Sequence, residues 1–210
     1  MKQVWCVLTL GVTMLASANA SVVTISSLGS AADANESNSM GPTIVIPRNL
    51  GWAPAVAGSE WVSYGATGDP NAPGYFMPAN GTIVSFFDSF FLAGSPLSGS
   101  VTIRADDSTS LWLNGFKLLD EAATSGNTYT RCSDIPVGCL ESTTVTVDLT
   151  PHLLQGNNQL RFDVAQRNSI SFGLSYAGTA DSAPSNSDVP EPATFALIGA
   201  GLIALRLIRK

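Results

Sequence analysis

Apolar and polar residues alternate in several short segments of the chain, and an alternation with a period of two predicts β-strands. The clearest segments are 101–105, 145–149, 160–165 and 172–176, where large apolar side chains occupy every second position. One face of each strand should therefore be buried, while the other face, which carries mostly small or polar residues, should be exposed.

The segment 83–92, IVSFFDSFFL, departs from this pattern because apolar residues occupy both odd and even positions. Such a run predicts a strand that is covered on both faces or that carries a bulge. Shorter β-branched runs at 22–25 and 43–46 predict two brief strands, the second of which ends at Pro47.

A hairpin is predicted where Asn114-Gly115 separates the strand 110–113 from the strand 116–119. Asn-Gly favours the tight two-residue turn because both positions need a positive φ. The two leucines of 110–113 should face the core, and the acidic segment 106–109 should form the turn before this strand.

Between the two ends of the chain, the hydrophobic pattern predicts almost no helix. Thr150 as N-cap, Pro151 at the first helical position and Gly156 as terminator predict one helical turn. The segment 65–81 contains three prolines and should not form regular structure throughout. Short alternating strands joined by turns predict an all-β fold, a two-sheet β-sandwich.

Both ends of the chain differ from this middle part. Lys2 precedes an apolar stretch at 4–15, and the small residues of 18–20 follow it. This order predicts a signal peptide over residues 1–20 with cleavage between Ala20 and Ser21.

The C-terminal end contains an uncharged run from residue 193. A helix over 193–208 would be about 24 Å long, whereas the bilayer core is about 30 Å thick, so a transmembrane helix here must thin the membrane or use snorkelling side chains. Three basic residues close the chain: Arg206, Arg209 and Lys210. They should act as a membrane stop that holds this end in the cytoplasm and leaves the preceding chain outside. An ordinary tail anchor and a buried C-terminal helix are the alternatives.

Pro190, Glu191 and Pro192 stand immediately before this run. The two prolines fix their own φ and donate no hydrogen bond, so Glu191 should lie in an extended, accessible segment. The order Pro-Glu-Pro, short span and basic tail over 189–210 resembles the PEP-CTERM sorting signal of exported bacterial proteins. The resemblance implies that a membrane-embedded exosortase recognises Pro-Glu-Pro and processes the tail. The protein would then be anchored transiently in the inner membrane before it reaches the cell surface or the medium.

The net charge of the part between the two ends argues against nucleic acid as a partner. Residues 21–188 contain 15 acidic and 6 basic side chains, a net charge of 6 − 15 = −9. An acidic surface repels phosphate backbones, so we expect no binding to nucleic acid. We divide this stretch into a polar N-terminal segment at 21–42, the sandwich at 43–180 and a Ser/Asn/Pro spacer at 181–188.

Cys132 and Cys139 are the two cysteines that remain after the signal peptide. Pro136 and Gly138 lie between them, and in an oxidising compartment such a close pair predicts a local disulfide. A metal site at this pair lacks further ligands, since the chain has a single histidine.

Two longer stretches carry a second resemblance, VTIRADDSTSLWLNGFKLL at 101–119 and VTVDLTPHLLQGNNQLRFDVAQRN at 145–168. Together they resemble the galactose-binding-like jelly roll, which occurs in carbohydrate-binding modules and in accessory domains of secreted glycosidases. The resemblance implies a jelly-roll-like sandwich more than it implies a ligand, because one fold hosts many functions.

Few residues are candidates for catalysis or metal binding. As a general base, His152 would need an orienting acid and a nucleophile, and no nucleophile motif is present, so we expect a surface loop residue. Asp106 and Asp107 allow three interpretations: a structural turn, a calcium site or a pair of catalytic carboxylates. Calcium is the only cofactor that we consider, and it would be a structural ion. Adjacent strand residues point to opposite faces, which argues against a shared acid/base role.

Trp112 and Asn114 are the candidate carbohydrate contacts. If Leu111 and Leu113 face the core, Trp112 and Asn114 face away from it, where an indole ring can stack on a sugar and an amide can bind its hydroxyls. A tryptophan covered by a neighbouring loop is the alternative. Trp52 and Trp61 are expected to pack beneath the turn-rich segment.

The sequence therefore favours a non-enzymatic exported protein. The resemblance to PEP-CTERM proteins implies that an exosortase sorts it and that it is associated with exopolysaccharide in a biofilm or floc. A secreted glycosidase with an unrecognised site and a protein-binding adhesin that uses the acidic surface are the alternatives.

Overall fold

The computed structural model describes residues 20–121, 132, 137–167 and 170–184. The predicted signal peptide up to residue 19, the sorting motif and the span at 193–208 lie outside these residues. Within them the chain forms eleven strands: β1 Ser21–Ser26, β2 Ser37–Asn38, β3 Ile44–Val45, β4 Val62–Ser63, β5 Ile83–Leu92, β6 Pro96–Asp106, β7 Ser108–Leu113, β8 Phe116–Leu119, β9 Val145–Asp148, β10 Gly156–Ala165 and β11 Gly173–Ser182. Two short 3-10 turns, Glu141–Thr143 and Thr150–His152, complete the described elements.

The strands form two sheets with antiparallel pairing throughout the described residues. Sheet A has the order β3-β4-β11-β6-β9, and β1 also pairs with β11. Sheet B has the order β2-β5-β10-β7-β8. From β5 onward the chain crosses between the sheets at every step except the β7–β8 hairpin, as in jelly rolls. The prediction of an all-β, jelly-roll-like sandwich is confirmed.

The core lies between the two sheets and is built mainly from one face of each long strand. In β10, Leu160, Phe162 and Val164 are fully buried while Arg161 and Asp163 lie on the opposite face. The same alternation buries Leu111 and Leu113 in β7, as the sequence predicts. The predicted alternation in β6 also holds at Val101 and Ile103, but Arg104 of this strand is buried as well.

β5 has the predicted bounds but not the predicted environment. Its even-numbered side chains are buried, whereas Ile83 and Phe91 on the outer face are 57% and 58% exposed. Its pairing with β10 runs without a bulge from Ile83 to Leu92. The prediction was wrong because an apolar residue on an open sheet face looks the same in sequence as one in the core.

The local turn predictions are largely confirmed. Asn114 and Gly115 have φ values of 53° and 85° and join β7 to β8. The helical turn at 150–152 also forms, but Leu149 occupies the N-cap and Thr150 lies inside the turn. The Asp148 side chain accepts a hydrogen bond from the Thr150 backbone N–H at 2.9 Å instead.

The expected turn at 106–109 does not form. β6 runs through Asp106 and β7 begins at Ser108, so Asp107 alone carries the chain from sheet A to sheet B. Both aspartates are buried, at 2% and 0% exposure. The run Asp-Asp-Ser-Thr suggested a turn, and only the pairing of β6 and β7 with different sheets reveals that the chain crosses between the sheets here.

The domain extends beyond the predicted 43–180 at both ends. β1 pairs with β11 from Ser21↔Ser182 to Ser26↔Ala177, and the compact unit spans 20–183. The segment 21–42 thus contributes a strand to sheet A, and Ser182 of the predicted spacer is fully buried. A pairing between residues so far apart in the chain leaves no local signal.

A second cluster is built around the disulfide, which joins Cys132 to Cys139 as predicted, with a Cα–Cα distance of 5.3 Å. Trp52 and Trp61 are buried against each other, with ring centroids 4.3 Å apart, in the same cluster as the disulfide and Ile46. By the chain-entropy estimate, closing so short a loop contributes about 2.5 kcal/mol.

We expect Phe162→Ala to lower the free energy of unfolding by about 3–5 kcal/mol, because it opens a cavity between the sheets. Phe91→Ala, the same change on the exposed face of the neighbouring strand β5, is the matched control and should cost about 0.5 kcal/mol or less. Urea denaturation measures both values. Equal losses for the two variants would contradict the assignment of inner and outer faces.

Candidate functional site

A row of four side chains crosses the outer face of sheet B. The strand register places Phe87 of β5, Arg161 of β10, Trp112 of β7 and Lys117 of β8 next to one another in that order. Leu111 and Phe162, their chain neighbours, face the core, so the alternation of strand side chains directs the row outward. We call these four residues the Trp112 row.

Trp112 lies between two cations within this row. The Lys117 Nζ is 4.8 Å from the centre of the indole ring, and the Arg161 Cζ is 4.3 Å from it. β8 and β10 flank β7 on opposite sides, so the two cations approach the ring from opposite directions. Each contact is an attraction between a cation and the negative face of an aromatic ring.

Carboxylates accompany both cations. The Lys117 Nζ lies 2.6 Å from the Asp120 Oδ1, and the Arg161 Nε lies 3.2 Å from the Asp163 Oδ1. The Asp163 Oδ1 also accepts a hydrogen bond from the Ser85 hydroxyl at 2.7 Å. The Arg161 and Lys117 side chains remain 36% and 40% exposed, so water screens these ion pairs.

Two N–H groups of the row are buried and make no aligned hydrogen bond. Among the described residues, neither the Trp112 Nε1 nor the Arg161 Nε has a hydrogen-bond partner with adequate geometry. A buried donor left unpaired costs about 1–3 kcal/mol. The Trp112 row therefore combines two cations, two aromatic rings and two buried N–H groups without an aligned hydrogen bond, of which the Arg161 Nε is within ion-pair distance of Asp163.

The sequence correctly predicts that Trp112 points away from the core, but Arg161 and Lys117 cover its ring faces rather than a loop. Its role as a sugar contact stays a prediction. The Asn114 amide is occupied within the fold: it donates to the His152 carbonyl at 2.9 Å and to the Asn158 side chain at 2.8 Å. It also accepts from the Gln159 backbone at 3.0 Å. These bonds tie the hairpin to the 3-10 turn.

The remaining candidates also make contacts within the domain. The Asp106 Oδ2 accepts a hydrogen bond from the Trp52 indole at 2.6 Å, and the Asp107 Oδ2 accepts one from the Arg167 backbone N–H. His152 stacks on Phe116 with ring centroids 4.6 Å apart. In the described part of the chain, no group of three or more His, Cys, Asp or Glu side chains is placed to hold a metal ion.

The outer face of sheet A carries a different surface, which the sequence analysis missed. A groove of about 410 Å³ is lined mainly by small polar residues: Ser98, Gly99, Ser100, Thr146, Asp148, Thr150 and Thr179. An adjoining groove of about 370 Å³ shares Ser100 and Thr179 with it. The Ser and Thr residues that recur at the outward positions of β6 could have predicted this polar surface.

Two buried acids were also missed. Asp88 lies on the inner face of β5, where burial raises its pKa to about 7 and the nearby Asp33 and Glu36 add to the shift. The Tyr176 hydroxyl donates to the Asp88 Oδ2 at 3.1 Å. Burial likewise raises the pKa of Glu36 to about 6, although its carboxylate accepts hydrogen bonds from the backbone N–H groups of Leu28 and Gly29.

Residues 188–210 match the PEP-CTERM protein-sorting motif, which confirms the first resemblance. No curated protein matches the sequence. Among the described residues, no helix has both the length and the apolar character needed to cross a membrane.

Several solved structures are similar at low identity. A family 35 carbohydrate-binding module from Clostridium thermocellum matches with a TM-score of 0.39 and 13% identity, covering 75% of this chain and 97% of that one. A CBM35 from Paenibacillus barcinonensis gives 0.35 and 14%, covering 77% and 98%. For an α-L-rhamnosidase from Streptomyces avermitilis the values are 0.35 and 18%, and the chain covers only 11% of that enzyme. At these scores the similarities carry no argument about a ligand.

The buried acids predict a pH dependence of stability. Their folded pKa values, about 7 and about 6, lie above the ordinary values of 3.8 and 4.5. The folded protein therefore binds protons more tightly, and the contribution of Asp88 and Glu36 to stability is greatest in acid and is lost as the pH rises from about 4 to about 7.

We expect Asp88→Asn to weaken this loss, since the amide oxygen can still accept from Tyr176 without carrying a charge. Urea unfolding across that pH range tests the expectation. Asp148→Asn is the control: hydrogen bonds from Thr150 lower the pKa of this exposed group, so its contribution has the opposite sign. An unchanged pH dependence in Asp88→Asn would contradict the assignment.

Proposed function

We propose that this protein is exported, processed by an exosortase at its C-terminal signal, and retained at the cell surface or in the extracellular matrix, where its sandwich binds exopolysaccharide without cleaving it. The match of residues 188–210 to the PEP-CTERM protein-sorting motif is the observation that carries the proposal. It supports delivery directly, and it supports a role in a biofilm or floc because matrix components must first leave the cell.

The order of features along the chain explains how sorting by an exosortase would proceed. The signal peptide at 1–20 starts export, and the 193–208 span halts the chain in the inner membrane. Arg206, Arg209 and Lys210 keep the end in the cytoplasm, since moving a charge through the bilayer is costly. Pro-Glu-Pro would then reach the outer surface of the membrane, and its two prolines have no backbone N–H to donate.

The described domain supports binding more than catalysis. Its outer faces present the Trp112 row on one side and the hydroxyl-lined grooves on the other. Aromatic rings and well-placed hydrogen-bonding groups are the usual components of a site for a small polar ligand. The candidate catalytic residues contribute instead to internal contacts: His152 to Phe116, Asp106 to Trp52 and Asp107 to the Arg167 backbone.

Replacing Pro190, Glu191 and Pro192 together by alanine should leave an uncut, membrane-bound protein, because the recognition segment is lost while the span is kept. Mass spectrometry of the C-terminus in membrane and culture fractions measures the outcome. As a control, three alanines in place of Ser185, Asn186 and Ser187 alter the preceding spacer and should not impair processing. Recovery of intact Lys210 in the exported wild-type protein, from cells that contain an exosortase, would refute processing.

The exported protein should bind the exopolysaccharide of the cells that make it and release no reducing ends from it. Sedimentation with the polysaccharide measures binding, and a reducing-sugar assay measures cleavage. If Trp112 contacts the sugar, Trp112→Ala should weaken binding with little change in melting temperature. Release of reducing ends would show an enzyme instead, and absence of binding would reject the polysaccharide role.

A further inference from the structure

The turn between β1 and β2 contains an asparagine in an acceptor pattern for a covalent modification. Residues 35–37, Asn-Glu-Ser, form an Asn-x-Ser triplet, and in exported proteins such a triplet is the acceptor for N-linked glycosylation. Residues 80–82, Asn-Gly-Thr, form a second triplet before β5. Both asparagines are exposed and lie in turns, so exposure does not distinguish the two triplets.

The fold directs Asn35 and Ser37 to the same, solvent-facing side of the chain. Glu36 between them is only 3% exposed. Its carboxylate accepts hydrogen bonds from the backbone N–H groups of Leu28 and Gly29 at 2.5 and 2.9 Å. Because Glu36 is held inward, its two neighbours point outward. An enzyme that recognises the first and third residues of the triplet therefore finds both on one surface.

Ser37 is accessible to such an enzyme. It begins the two-residue strand β2, which lies at the edge of sheet B. Its side chain is exposed, and its hydroxyl makes no hydrogen bond with the described residues. The threonine at the third position of the other triplet is half-buried.

Asp33 lies two residues before Asn35 and contacts the atom that would react. The Asp33 Oδ1 accepts hydrogen bonds from the backbone N–H and from the Nδ2 of Asn35, both at 2.9 Å. An amide nitrogen is a weak nucleophile because its lone pair is delocalised into the carbonyl. A carboxylate that accepts one of its N–H groups forms a charge-assisted hydrogen bond and increases the electron density on the nitrogen.

Two other exposed asparagines each have one part of this arrangement. The Asp69 Oδ1 accepts hydrogen bonds from the backbone N–H and the Nδ2 of Asn71 at 2.9 and 3.1 Å, but a proline stands where the triplet has its hydroxyl. Asn80 is followed by the threonine hydroxyl, but a proline stands two residues before it. Of these three asparagines, Asn35 alone has both the carboxylate and the hydroxyl.

We propose that Asn35 is an N-glycosylation site, to which an oligosaccharyltransferase transfers an oligosaccharide from a polyprenyl pyrophosphate. The Asn35 Nδ2 forms a bond to the anomeric carbon of the first sugar, and the bond between this carbon and the phosphate oxygen breaks. The polyprenyl pyrophosphate leaves with the electron pair, and one amide proton is released to water. The inference uses only the export step of the proposed function and is independent of polysaccharide binding.

The test uses the folded exported protein, made in cells without an oligosaccharyltransferase, together with a purified bacterial oligosaccharyltransferase and a polyprenyl-pyrophosphate oligosaccharide. Trypsin cleaves after Arg48 and Arg104 and so yields the peptide 21–48, which contains Asn35, and the peptide 49–104, which contains the other two asparagines. We expect mass spectrometry to find one oligosaccharide on 21–48 and none on 49–104. The 21–48 peptide of the native exported protein should carry the same addition in cells that contain such a transferase.

Three variants separate the parts of the site. Asn35→Gln should abolish the addition. Asp33→Asn keeps an oxygen that can accept both hydrogen bonds but removes the charge, and it should slow the transfer about tenfold. Ser37→Ala should slow it about tenfold or more, whereas Ser37→Thr keeps the hydroxyl and should be modified like the wild type. Asp69→Asn, the same change in the matched turn, is the control and should leave the rate unchanged.

Absence of the addition from 21–48, while a synthetic peptide Asp-Ala-Asn-Glu-Ser is modified in the same reaction, would overturn the site in the folded protein. Equal rates for the wild type and Asp33→Asn would overturn the role of the carboxylate, and equal modification of 49–104 would show that exposure is sufficient. Melting temperatures verify the folding of each variant. A protein that binds exopolysaccharide but is not modified at Asn35 would reject this inference and leave the proposed function intact.

Discussion

The stacking of Phe162 on Tyr176 is the contact on which the rest of the domain depends. Their ring centroids lie 4.5 Å apart, and they join β10, in the middle of sheet B, to β11, in the middle of sheet A. Both side chains are almost completely buried. Because each central strand is paired on both sides, this contact joins the centre of one sheet to the centre of the other, and the remaining core side chains pack around it.

The same packing brings a polar group into the core. The Tyr176 hydroxyl needs a partner once it is buried, and Asp88 on the inner face of β5 accepts its hydrogen bond. Burial in turn raises the pKa of this carboxyl. Stability and protonation are thereby linked through one residue pair between the sheets.

The inner faces of both sheets are filled with apolar side chains, so polar and charged side chains lie on the outer faces. The outer face of sheet A differs from the outer face of sheet B. Sheet B presents cations and an indole ring, whereas sheet A presents hydroxyl-lined grooves and Asp148. Since side chains on a strand alternate, a residue such as Arg161 can serve the outer surface while both of its neighbours serve the core. Rigid strands position the row more firmly than loops would.

Local features of the sequence were sufficient for some of this protein. These features depend on residues that are close in the chain, so one short segment is enough to predict each of them. They are the Asn114-Gly115 hairpin, the short disulfide loop, the alternating strands and the Pro-Glu-Pro tail. The outward direction of Trp112 followed from the leucines beside it.

Other features required the tertiary structure: the pairing of β1 with β11, the burial of Asp88 and of Asp106-Asp107, and the placement of Arg161 beside Trp112. Trp112 and Arg161 are 49 positions apart in the chain and are neighbours only because β7 and β10 pair. Strand order and register decide such contacts, and they arise from the free energy of packing the two whole sheets rather than from any one segment.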